Sequence, residues 1–94
     1  MSIPKISHLE YLVINIIGLD ERSGTYVREA LIKENWSKTP ASFYQLMKRM
    51  EVSKLIEGRY ESKIIKKQTI TIRKYKITQL GQDEWINTLG FYRQ

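Results

Sequence analysis

"KIIKKQTITIRKYKIT", residues 63–78, holds six lysines and arginines and no acid. Ile, Thr and Tyr alternate along it with Lys, Gln and Arg, which is the period of a strand rather than of a helix. It reads as the distal part of a hairpin, with strands over Arg59–Ile65 and Ile70–Thr78. "KKQT" between them lacks an Asn-Gly pair, so a longer, mobile tip is expected in place of a tight turn. The second strand is out of phase with itself. Ile70 and Ile72 share one parity, Tyr75 and Ile77 the other. Two accounts stay open: a bulge near Arg73–Lys74, or a distal half that leaves the core and projects.

Upstream lies "TPASFYQLMKRMEVSKLIE", residues 39–57. Thr39 can cap a helix and Pro40 suits its first position, where no amide donor is missed. Phe43, Leu46, Met47 and Met50 follow i, i+3, i+4, i+7 and form one apolar face. Ala41, Gln45 and Lys48 lie opposite, flanked by Ser42, Tyr44 and Arg49. A helix with a small, polar and basic outer face can lie in a DNA major groove; it can also be an ordinary amphipathic helix with a wet face.

Two more helices precede it. Ser7-x-x-Glu10 is a capping box for a helix ending near Gly18. That helix is apolar on more than one stripe: Leu9, Tyr11, Leu12, Val13, Ile14, Ile16 and Ile17. Its own core would cover one side and a partner subunit the other. "GLDERSGT" is a polar turn, and "TYVREALIKE" is the second helix. After the hairpin, Thr78 can cap a last helix, "QLGQDEWINTLGFYRQ". Asp83 and Glu84 near its start suit the dipole, and Trp85, Leu89 and Tyr92 share one face. The order is helix, helix, helix, strand, strand, helix. It predicts an α+β, mostly α, winged helix-turn-helix in a single domain of 94 residues.

Composition narrows the function. The net charge is +6, and eleven of the sixteen Lys and Arg but three of the ten acids fall in residues 38–76. Such an asymmetry is a candidate electrostatic footprint for nucleic acid, and a solvated basic surface would show it equally. There is no cysteine, hence no disulfide framework and no thiolate chemistry. The N-terminal segment lacks the pattern of a signal peptide, and no run of about 18 apolar residues is present, so a cytoplasmic protein without a membrane span is expected. His8 is the single histidine and has no acid placed to form a triad. Asp20-Glu21 and Asp83-Glu84 are adjacent pairs whose side chains diverge, and no glycine loop could cradle phosphate. No enzyme activity, metal or cofactor is expected.

The chain resembles the PadR-like winged-helix transcriptional regulators, and more loosely the MarR group. The match lies first in "SFYQLMKRMEVSKLIE": Ser42, Phe43, Tyr44, then Met47, Lys48, Arg49, Met50, Glu51, then Leu55 and Ile56. It lies secondly in "RKYKITQLG": Arg73, Lys74, Tyr75, Ile77, Thr78 and Gly81. "SGTYVREAL" is similar to the opening of the family's second helix, with Thr25 inserted between Gly24 and Tyr26. Lys54 stands where the family usually has Gly, and Gln45 where it often has Pro. The stretch after the last wing strand is short, so no extra domain holding an effector pocket is expected. The resemblance implies a dimeric bacterial-type repressor. Its third helix reads the major groove, its wing touches backbone or minor groove, and its first and last helices pair the subunits.

The candidate residues follow. On the third helix they are Lys38, Thr39, Ser42, Tyr44, Gln45, Lys48 and Arg49. Gln and Arg suit adenine and guanine edges, and the Tyr44 hydroxyl suits a phosphate unless its ring is simply packed. On the wing they are Lys63, Lys66, Lys67, Arg73 and Lys74, which would neutralise phosphates. For a homodimer they are Leu9, Leu12, Val13, Ile16, Trp85, Leu89 and Tyr92, the alternative being that the first and last helices simply cover each other in a monomer. In the dimer two third helices would meet half-sites roughly 34 Å apart on double-stranded DNA. A small-molecule effector would sit near Tyr11 or Trp85, although no residue demands one. The competing reading is a winged helix used as a protein-interaction module, which would need an apolar patch where this chain carries cations. RNA binding is a third reading, weakened by the lack of an exposed aromatic stacking pair.

Overall fold

A computed structural model describes residues 4–36 and 39–93. Helix α1 (His8–Ile17) is followed by a short strand β1 (Arg22–Ser23), then α2 (Gly24–Lys33) and α3 (Pro40–Val52). Strands β2 (Ile56–Ile65) and β3 (Gln68–Ile77) form the hairpin, and α4 (Gln79–Tyr92) closes the chain. The sheet is antiparallel with order β1-β3-β2. This is the expected winged helix-turn-helix with one addition. Within the stretch read as a polar turn, Arg22 and Ser23 pair with Tyr75 and Lys74. Two residues are too few for a strand signal, because only the neighbouring β3 makes them one.

The caps form where the sequence places them. Ser7 accepts from the Glu10 amide while the Glu10 carboxylate accepts from the Ser7 amide, at 3.1 and 2.8 Å. Gly18 ends α1 with a φ of 64°. Thr39 accepts from the Ser42 amide, with Pro40 in the first turn. Helix α3 ends in a Schellman motif. The Lys54 amide donates to Glu51 and the Leu55 amide to Met50, both at 3.0 Å. Lys54 therefore takes the left-handed position, φ 65°, that glycine usually fills, at a cost of about 1 kcal/mol. Burial of Leu55 beside Met50 offsets it. Asn35 closes α2 in the same way, with φ 67°. Asp83 and Glu84 lie beyond the first turn of α4, too far along for the dipole argument made for them.

The core is where α1, α2, α3 and the root of the sheet meet. Val13, Ile14 and Ile17 meet Val27 and Leu31, the four apolar residues of α3, and Leu55, Ile56 and Tyr75. Val13 is wholly buried there, so it is withdrawn from the expected dimer surface. The second side of α1 is partly covered within the chain by α4. Trp85 Nε1 donates to Asn15 Oδ1 at 3.3 Å, and Tyr92 packs edge-on against Tyr11 and lies 3.1 Å from His8 Nδ1. Leu9, Leu12 and Ile16 stay half-buried.

One junction ties the hairpin to this core. The Thr78 amide donates to the Leu55 carbonyl, its hydroxyl donates to Leu55 and Lys54 carbonyls, and the same hydroxyl accepts from the Gly81 amide. A side chain at Gly81 would run into the Leu55 carbonyl, so α4 can begin this close to the end of α3 only with glycine there.

The hairpin corrects one expectation and decides another. Its tip is a two-residue turn, Lys66-Lys67, with Ile65 paired to Gln68. Both lysines have positive φ, 51° and 66°, the I′ hand that matches the twist of the strands. No Asn or Gly is needed, because ten cross-strand pairs outweigh roughly 1–2 kcal/mol of strain per lysine. The register runs unbroken from Ile56–Ile77 to Ile65–Gln68, so there is no bulge. The phase change marks the exit from the core instead. Tyr75 is buried, whereas Ile64, Ile65 and Ile70 are exposed. The molecule is accordingly elongated, 53 × 27 × 20 Å.

Candidate nucleic-acid interface

The face of α3 away from the core carries Pro40, Ala41, Tyr44, Gln45, Lys48, Arg49 and Val52, all exposed. Cross-strand partners share a face of the hairpin. Gly58 with Tyr75, Tyr60 with Arg73, Ser62 with Thr71 and Ile64 with Thr69 therefore lie on one side, and the first two pairs sit against α3. Between α3 and this side of the wing runs an open groove of about 620 Å³. It is lined by Tyr44, Lys48 and Glu51 of α3, by Tyr60, Thr71, Arg73 and Tyr75 of the wing, and by Gly24 and Thr25.

Arg73 fixes the groove's width. Its guanidinium pairs with the Glu51 carboxylate and lies over the rings of Tyr60 and Tyr75, 4.5 and 5.5 Å from their centroids. The two charged side chains are 23% and 19% exposed, and Gly58 leaves the space they occupy. Burial works against the Arg73 cation, but the Tyr75 hydroxyl and the Glu51 carboxylate beside it raise its pKa above the ordinary value. Burial likewise pushes the Tyr75 phenol up. Arg73 thus joins wing to helix and is largely withdrawn from solvent.

The other face of the hairpin is an ion-pair network. Arg59 donates to Glu21 through Nε at 2.7 Å, and Glu61 lies within 3.4–3.7 Å of Arg59, Lys74 and Lys63. Arg59 holds the Glu21 carboxyl below the usual range by hydrogen bond and charge, against some desolvation. At Glu61, desolvation is outweighed by Lys74, Arg59 and Lys63, so its pKa also falls. Lys63 and Lys74 therefore share one carboxylate, Glu61, within the hairpin. At the tip Lys66 and Lys67 are exposed, and neither has an ion-pair partner among the described residues.

The candidates thus divide. Tyr44 and Lys48 flank the groove, Gln45 points outward, and helical spacing puts Ser42 and Arg49 on the flank away from the wing. Thr39 and Ser42 are engaged in the cap, the Thr39 hydroxyl donating to Ser42 Oγ at 3.1 Å. Lys38 lies outside the described residues. Tyr44 is packed and yet reaches the groove. Its ring packs edge-on to Phe43, 4.9 Å away, and it remains 42% exposed at the groove. Sequence reasoning missed Tyr60, Thr71 and the Glu51–Arg73 pair. Strand parity puts Tyr60 opposite Arg73, but only once the register is known. A second, mainly apolar hollow of about 380 Å³ lies beside Trp85, lined also by Ile14, Leu19, Ile77 and Ile86, and Tyr11 takes no part in it. No metal-binding cluster occurs among the described residues, and none of their helices is long and apolar enough to cross a membrane.

No protein-family model matches the chain, and no curated protein matches it. Solved structures do. A PadR family transcription regulator from hypervirulent Clostridium difficile aligns with a TM-score of 0.78 at 18% identity, over 93% of this chain and 88% of its own. A PadR-like transcriptional regulator from Bacillus cereus aligns with a TM-score of 0.69 at 27% identity, over 90% and 84%. Bacillus subtilis PadR in complex with operator DNA aligns with a TM-score of 0.72 at 20% identity, over 88% of this chain and 47% of its own. The chain thus spans about half the length of that relative. It has the winged-helix architecture of these PadR-like transcription regulators.

Proposed function

We propose that the protein is a sequence-specific double-stranded DNA-binding regulator of transcription, acting in the cytoplasm as a single winged-helix domain. The observation that carries this reading is the shared outlook of α3 and the wing. Gln45, Lys48 and Arg49 sit on the exposed face of the helix, and the uncompensated Lys66 and Lys67 sit at the end of a hairpin anchored beside it. A helix placed so can enter a major groove while the wing lysines neutralise phosphate. Bacillus subtilis PadR, which shares the architecture, was solved on its operator. Occupying a promoter blocks polymerase, so the expected outcome is repression.

The protein acts as a homodimer in this reading. Leu9, Leu12 and Ile16 of α1 and Trp85 and Leu89 of α4 are half-buried, while Ile86, Phe91 and Tyr92 of α4 are exposed. Pairing of these faces would present two α3 helices to successive turns of DNA.

The test is binding of a mixed-sequence duplex by fluorescence anisotropy from about 50 to 200 mM salt. Affinity should fall steeply with salt, and Lys66→Ala/Lys67→Ala should flatten the slope by about two, one per phosphate contact. Gln45→Ala/Arg49→Ala should leave that slope nearly unchanged but cost about 1–3 kcal/mol of sequence discrimination per lost base contact. Absence of binding at the lowest salt refutes the reading.

A further inference from the structure

We propose that the wing tip is an apolar wedge: Ile64 and Ile65 enter the minor groove and partly unstack a base step, while Lys66 and Lys67 grip the phosphates on either side. The inference rests on the DNA-binding reading and adds a mode of contact that the lysines alone do not supply.

The starting point is an energetic oddity. Ile64 is 78% exposed and Ile65 47%, adjacent in sequence and therefore on opposite faces of the ribbon. Ile70 lies diagonally across from Ile65 and is exposed as well. Scattered surface apolar residues need no explanation, but these sit together at the far end of an arm that reaches out of the core. Nothing in the fold requires isoleucine there. Threonine has similar strand preference, and it occupies the neighbouring solvent-facing positions Thr69 and Thr71.

The surroundings name the occupant. From Ser62 to Gln82 the chain has no acid, so the apolar tip is framed by cations and neutral polar residues alone. A protein contact built on exposed isoleucine would not call for two unpaired lysines in the turn itself, whereas a phosphate-lined groove does. The shape agrees. A two-residue turn is as narrow as a hairpin end can be, and both its residues are lysines set by the I′ geometry. The minor groove is about 6 Å wide, which admits apolar side chains at such a tip but not a helix. The arm is also stiff enough to push, because Arg73 is braced by Glu51 at its root and the ladder is unbroken along its length. Apolar wedges of this kind kink DNA most readily at flexible pyrimidine–purine steps.

The experiment begins with duplexes selected from a random-sequence pool by the wild-type protein. On such a duplex, the wild type should render thymines at one flanking step hyperreactive to permanganate, which reports unstacking. Ile64→Thr/Ile65→Thr, which keeps β-branching and the hairpin, should bind about tenfold more weakly with an unchanged salt slope, and the hyperreactive thymine should vanish. Lys66→Ala/Lys67→Ala should do the reverse, flattening the slope and keeping the reactive thymine. Wild-type affinity and an unaltered permanganate pattern in the isoleucine variant overturn the wedge but leave DNA binding intact. Loss of self-association in sedimentation, with DNA binding unaffected, overturns it in favour of a protein contact at the tip. If the wild type recovers no duplex from the pool, the wedge and the DNA-binding reading fall together.

Discussion

At the root of the hairpin, Arg73 is gripped by Glu51 and two tyrosine rings, and Arg59 by Glu21. A few residues further out, Lys66 and Lys67 meet no carboxylate among the described residues. One run of sequence supplies both kinds of cation, yet they perform opposite tasks. At the root Arg73 ties the wing to α3 and Arg59 ties it to the loop before β1, and the cations at the tip remain for an external anion. A cation stabilises a fold when a carboxylate meets it out of bulk water, and it attracts a ligand when its charge is left over.

Substitutions at the root should therefore act on stability, and those at the tip on binding. The largest effect is expected from Gly81→Ala, whose methyl group meets the Leu55 carbonyl where wing, α3 and α4 join. Chemical denaturation should show a loss of about 3 kcal/mol. Next comes Arg73→Ala, which strands Glu51 in a site that is largely but not wholly dry. A cost of about 2 kcal/mol is expected, less than for a fully buried pair because water still screens it. Lys67→Ala, with the same loss of charge, should leave the melting temperature within error and alter only the salt slope. Equal effects on stability at the two positions would abolish the contrast between root and tip.

A smaller change of opposite sign sharpens it. Lys66→Asn/Lys67→Gly relieves two left-handed lysines and should add about 1–2 kcal/mol while weakening DNA binding. A gain in both properties would show that the tip lysines serve no ligand. The smallest effect belongs to the exposed face. Glu21 titrates below its ordinary 4.5, so the stability it contributes is present above that pH and is lost as pH falls through its folded-state value. Glu21→Gln should lower the melting temperature slightly at pH 7, and the gap should close in acid and in high salt.

Much of the fold was legible because its signals are local. Ser7-x-x-Glu10, Thr39-Pro40, Thr78 and the spacing of Phe43, Leu46, Met47 and Met50 each act within a turn or two of helix, where nearest neighbours dominate. The tight tip was misread because propensity argues against lysine at positive φ, and the strand pairing that overrides it is a cooperative property of twenty residues. Val13 was misassigned for a related reason. Periodicity shows that α1 has more than one apolar stripe, but not which stripe α2 and α3 will take.

By itself the sequence determined the order of elements, the capped helix ends, the apolar face of α3 and the concentration of charge in the second half of the chain. The tertiary structure alone decided which cations are spoken for. Arg73, Lys74 and Lys66 look alike in sequence, and what separates them is the distance to Glu51 or Glu61, residues 22, 13 and 5 positions away that only the register and the α3–wing packing bring near or leave far. Electrostatic pairing falls off over a few ångströms in a partly dry site, so it is fixed by three-dimensional contact and cannot be read from a list of charges.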